Sequence, residues 1–106
     1  MEIMPKKKKI SQERIMAAIA NRLTGSPFPF QGGDRVRVND YPEGGMDDRV
    51  RSRSGTVIGG NLFPIGSNFI GVEFDQGSDS LHDCNGRTKP GRGWYVTRKN
   101  LRIIFD

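Results

Sequence analysis

The sequence predicts a mainly β protein, a small five-stranded domain preceded by one amphipathic helix. Three observations carry this expectation. With 14 Gly and 6 Pro in 106 residues, the chain is rich in turns, which suits short strands better than a helical bundle. After Gln31 apolar residues recur with period two, the spacing of a half-buried strand. Only one stretch, before Gly25, follows the helical period.

That helix starts at Ser11, a good N-cap, with Glu13 in the first turn where the dipole favours an anion. Ile15, Met16, Ile19 and Leu23 form one apolar stripe on a helix of about 12 residues. Thr24-Gly25-Ser26-Pro27 stops it, and Phe28-Pro29-Phe30 continues as an extended apolar linker. A helix this short is marginal alone in water, so the stripe must lie on the β-core or on a partner. Asp34 to Asn39 alternates charged and β-branched residues and reads as the first strand. Tyr41 to Arg51 reads as a long polar loop, Arg53 to Ile58 as the second strand, Gly59-Gly60-Asn61 as a turn and Leu62-Phe63-Pro64-Ile65 as an apolar loop. Asn68 to Phe74 is the best strand pattern in the chain. Asp75 to Gly91 is a second long polar loop, and the final strands, Gly93 to Thr97 and Leu101 to Phe105, are separated only by Arg98-Lys99-Asn100. Short strands, long loops and a very short last break suggest a small barrel-like sheet. The expected organisation is a basic flexible arm over 1–10, a helix and linker over 11–31, and the β-domain over 32–106.

A chain of this length buries roughly two-thirds of the surface its unfolded form exposes, which leaves no room for a two-lobed enzyme. Cys84, the sole cysteine, cannot form an internal disulfide, so a reduced cytoplasmic setting is expected. No apolar run reaches the roughly 20 residues that span a bilayer, and Met1 to Ile10 lacks the apolar segment of a secretory signal. The formal charge of +5 is unevenly placed: residues 1–25 carry +4, 26–86 carry −4 and 87–106 carry +5. Basic ends of this kind are the footprint of a polyanion binder.

Gly33-Asp34-Arg35-Val36-Arg37-Val38, Gly55-Thr56-Val57-Ile58, Ile70-Gly71-Val72-Glu73-Phe74-Asp75 and the short break before Leu101 together resemble an SH3-like barrel of the KOW/Tudor/CAP-Gly type over about residues 33–105. Leu81-His82-Asp83-Cys84-Asn85-Gly86, followed by Gly91-Arg92-Gly93-Trp94-Tyr95-Val96, is similar to small bacteriophage and bacterial proteins with a His-Asp, then Gly-x-Gly-Trp-Tyr-Val pattern. The resemblance implies the barrel and brings no activity with it. Where CAP-Gly domains carry Gly-Lys-Asn-Asp-Gly, this chain reads Gln76-Gly77-Ser78-Asp79-Ser80. Tyr41, Trp94 and Tyr95 are too scattered in the sequence to suggest a methyl-lysine cage.

Neither a phosphate loop nor a spaced metal-ligand set is present, and no cofactor is expected. Spacing places His82 and Cys84 on one side of an extended segment near Asp79 and Asp83, and we read His82-Asp83 as hydrogen-bonding loop backbone rather than as a catalytic or metal pair. The stronger constellation is Arg87, Lys89, Arg92, Trp94, Tyr95, Arg98, Lys99 and Arg102, which combines phosphate-pairing donors with rings. Trp94 and Tyr95 point to opposite faces of a strand, so one belongs to the core and the other is the candidate platform; the resemblance implies that Trp94 is at least partly exposed or caps the barrel. Arg49, Arg51 and Arg53 extend the same field. The expected function is non-enzymatic association with RNA or DNA, at low sequence specificity, through Lys6, Lys7, Lys8, Lys9 and the cluster Arg87, Lys89, Arg92, Trp94, Arg98 and Lys99. The alternative is a protein-interaction module, a phage-encoded modulator of a host complex, docking through Ile15, Met16, Ile19 and Leu23 with Asp40, Glu43, Asp47 and Asp48 facing a basic partner.

Overall fold

The computed structural model describes residues 12–24, 30–59 and 68–104, with backbone only for 21–24. The arm with Lys6–Lys9, the Ser11 cap, the helix stop at 25–27, most of the 28–30 linker, the apolar loop at 62–65 and Phe105 lie outside the described residues. The protein is mainly β. Helix α1 covers Gln12–Thr24, and five strands follow: β1 Arg35–Val38, β2 Ser54–Val57, β3 Phe69–Phe74, β4 Gly93–Thr97 and β5 Leu101–Ile103. They form one sheet in the order β4-β3-β2-β1-β5, with antiparallel pairing throughout. The first four strands thus follow one another across the sheet, and the chain returns to lay β5 beside β1.

Period-two patterning explains the core. Val36 and Val38 of β1, Val57 of β2, Ile70, Val72 and Phe74 of β3, Val96 of β4 and Leu101 of β5 all turn to one buried cluster. Register links them directly: Val38 faces Leu101, Val57 faces Val72, and Ile70 faces Val96. Gly55 lies between Val36 on one side and Phe74 on the other, where a Cβ would come within 2.5 Å of the Glu73 carbonyl oxygen and 2.8 Å of Val72 Cγ1. The strands approach so closely there that only glycine fits.

The two polar loops also feed the core. Val50, in a 3-10 turn over Asp48–Val50, is fully buried, and Leu81 and Cys84 of the second loop are buried as well. The break before β5 is another 3-10 turn, Arg98–Asn100.

Helix α1 departs from the expected packing. Its point of contact is Ala18, 2% exposed, which packs with Ile103 of β5, Ala17 and Phe30. Arg14 on the same side pairs with Asp34. Met16 and Ile19 are 58% and 47% exposed, and Ile15 is half-buried. A small residue lets the helix backbone come close to β5, and the ion pair with Asp34 ties the same side of the helix, so Met16 and Ile19 turn aside instead of covering the core. Leu23 belongs to the helix, but its side chain is outside the described residues.

Gly55→Ala should lower stability by about 1–3 kcal/mol, because the clash is with β3 backbone that has no rotamer to yield. A shift in the urea midpoint at unchanged slope is the expected readout.

Candidate functional site

The site grows from a buried carboxylate. Asp47 is completely buried, and its oxygens accept from Trp94 Nε1 (3.3 Å), the Thr97 main-chain N–H (3.0 Å) and Asn100 Nδ2 (2.7 Å). Asn100, 1% exposed, also accepts from the Glu43 N–H at 2.9 Å and donates to the Glu43 carbonyl at 3.1 Å. Its own carbonyl accepts from the Asn39 N–H. The first long loop is therefore stitched to both ends of the β4–β5 connection. This corrects one expectation: Asp47 cannot face a basic partner, since its charge is spent inside. Asp40 is held by Arg37 and by the Ser52 hydroxyl, and Glu43 pairs with Lys99 at 3.3 Å. The Ser52 hydrogen bond, then the one from Arg37, holds the Asp40 carboxyl below the usual aspartate range.

Trp94 is anchored by Asp47 and lies on the core face opposite Val72, half-buried against the main cluster. The Arg49 guanidinium lies over the indole, 4.5 Å from the ring centroid, and donates from Nη1 to the Ser80 carbonyl at 3.2 Å. Tyr95 turns to the other face, opposite Gly71, and its hydroxyl accepts from Asn85 Nδ2 at 3.3 Å.

His82 sits beside both rings. It bridges to Gly93 through two main-chain hydrogen bonds, 3.0 and 2.7 Å, and its ring centroid is 5.2 Å from Trp94 and 5.4 Å from Tyr95. Nδ1 accepts from the Cys84 N–H at 2.9 Å, which leaves the proton of the neutral ring on Nε2. The imidazole thus hydrogen-bonds loop backbone as the sequence suggested. From Asp83 it is the main-chain carbonyl that accepts, from Arg87 and Thr88. Cys84 does not share the exposed side of His82. Its backbone enters the left-handed region at φ 51° and turns the thiol inward, where a Cβ on Gly93 would meet Sγ at 2.8 Å. Burial pushes the thiol up to about 11, which disfavours the thiolate a nucleophile or metal ligand requires. Among the described residues no group of three or more His, Cys, Asp or Glu is placed to hold a metal ion, and no helix is long and apolar enough to cross a membrane.

The basic cluster read from the sequence is divided by β4. Arg87, Lys89 and Arg92 precede the strand, whereas Arg98 and Lys99 follow it, about 20 Å further along at about 3.3 Å per residue between Arg92 and Arg98. Arg87 and Lys89 are exposed, while Arg92 lies near Asp75 and helps, after the bidentate hydrogen bonds from Arg35, to hold that carboxyl below its usual range. Arg49 reaches β4 through its contact with Trp94. Sequence reasoning placed it in the field by alternation but gave no sign of the stacking, which depends on a loop folding back across the sheet.

No family model matches the chain, and neither a curated protein nor a solved structure matches it.

Asp47→Ala should cost about 2–4 kcal/mol, since it strands three donors inside the protein, and should be read as a lower urea midpoint. At Cys84 the folded value lies above the ordinary 9.0, so the neutral buried thiol adds stability that is full below pH 9.0 and is lost as the pH rises through about 11. Iodoacetamide at pH about 8 should leave the native thiol unmodified and alkylate it once urea unfolds the chain.

Proposed function

We propose that the protein is a non-enzymatic nucleic-acid-binding module, with its five strands curled as an SH3-like barrel, that associates with RNA or DNA through the basic surface around β4. The observation that carries this reading is how the charges are divided. Asp34, Asp40, Glu43 and Asp75 each hold an arginine or lysine of the same chain, and Asp47 is buried. Arg49, Arg51, Arg53, Arg87 and Lys89 form no ion pair among the described residues. Two of the paired bases, Arg14 and Lys99, come from outside the acidic middle of the sequence, and Asp48, Glu73, Asp79 and Asp83 form no ion pair among the described residues; the unpaired arginines and Lys89 are the groups that favour a polyanion. The return of β5 to β1 through a 3-10 turn supports the barrel. Lys6–Lys9, which lie outside the described residues, add four positive charges to the same chain.

A second reading, a protein-interaction module, is favoured by the exposure of Met16 and Ile19 on a helix already docked through Ala18. Here a pull-down from nuclease-treated lysate decides: a stoichiometric partner lost on Met16→Ser/Ile19→Ser supports it, and recovery of nothing removes it.

For nucleic acid, fluorescence anisotropy should show binding to generic duplex or single strands whose affinity falls steeply between about 50 and 200 mM salt. Replacing Lys6–Lys9 with Ala should flatten that dependence and remove most of the affinity. Absence of binding at about 50 mM salt would end this reading.

A further inference from the structure

Resting on the nucleic-acid reading, we propose that Arg49 is the prepositioned phosphate contact of this surface, and that the surface reads phosphodiester groups rather than a base stacked on Trp94. Four observations lead there. The guanidinium covers the indole at 4.5 Å, so the ring face a base would need is occupied. The indole cannot swing away, because Nε1 is tied to buried Asp47 and the ring packs against the core. Near the same ring sits His82, at 5.2 Å, narrowing the space around it further. Arg49 itself is exposed, makes no ion pair with neighbouring Asp48 or any other described carboxylate, and spends only one donor, on the Ser80 carbonyl.

A guanidinium has five N–H donors in a rigid fork that matches two phosphate oxygens. Most flexible arginines must be ordered before they pair. In Arg49 the order is already present: Trp94 holds the plane of the fork and Ser80 holds one edge, which leaves the opposite edge for the anion. Trp94 is then a positioning residue, acting through Arg49, and Asp47 stands behind it. Recognition of this kind carries no base information, in keeping with low sequence specificity.

The test uses the full chain and two probes, a labelled single-stranded oligonucleotide of about 12 nucleotides and inorganic polyphosphate, which has phosphates but no bases. Arg49→Gln should weaken both about five- to tenfold and lower the magnitude of the oligonucleotide salt slope by about 0.7, the loss of one phosphate contact. Arg49→Lys, with the charge kept and the fork lost, should retain the slope at reduced affinity. Trp94→Phe, which keeps a ring face but loses the tie to Asp47, should lose less affinity than Trp94→Leu, both at unchanged slope, with circular dichroism confirming that both fold. Trp94 is the sole tryptophan, so its fluorescence should respond little to either probe. Strong quenching by the oligonucleotide alone, or an Arg49→Gln loss confined to the oligonucleotide, would overturn backbone reading at this site. Wild-type binding with Arg49→Gln unchanged in affinity and slope overturns the role of Arg49 while leaving the nucleic-acid reading intact. Wild-type protein that binds neither probe removes both.

Discussion

The hydrogen bonds that converge on Asp47 are the constraint on which the site depends. A buried carboxylate is costly unless its oxygens are satisfied, and here an indole, a main-chain amide and a carboxamide satisfy them together. Each donor comes from the β4 strand or the turn after it, while the acceptor comes from the first long loop. The cost of burying the charge is therefore offset only when loop, strand and turn are all in place. That makes the network a test of correct assembly as well as a source of stability. Its outer layer is chemical: the same contact that closes the core fixes the indole under Arg49.

The surface ion pairs play a different part. Arg35 with Asp75, Arg37 with Asp40 and Lys99 with Glu43 are all substantially exposed, and pairs of that kind add little to stability. What they change is the potential. Arg14 and Lys99 bring charge from outside the acidic middle to Asp34 and Glu43, while Arg35 and Arg37 pair within it. The arginines of the first loop and the bases before β4 stay outside these pairs, as do Asp48, Glu73, Asp79 and Asp83.

Much of the sheet is legible in the sequence, because period-two alternation is a local signal. Arg35-Val36-Arg37-Val38 and Phe69 to Phe74 fall where it places them, to within a residue. The contributions of the loops were not legible, for a physical reason. Val50, Leu81 and Cys84 are single apolar residues in polar runs, and one residue has no period. Asp47, between Met46 and Asp48, gives no sign of burial, since its partners are about 50 residues away in the chain. The helix was legible as a helix but misleading about its contact side: the stripe of large apolar residues drew attention from Ala18, whose small size is what permits the close approach to β5. For the candidate site, the residue types around β4 were visible in advance. The stacking of Arg49 and the seat of His82 between two rings depend on how loops fold back, which spacing does not record.

Strand β4 lies at one end of the sheet, where a row of main-chain groups would ordinarily lie open to any passing strand. Here His82 caps that row at Gly93 and Asp47 caps it at Thr97, so both ends of a five-residue strand are already engaged. The loops that build the surface thereby also blunt the edge. An edge engaged at both ends in this way offers a passing strand no continuous row of main-chain groups on which to pair.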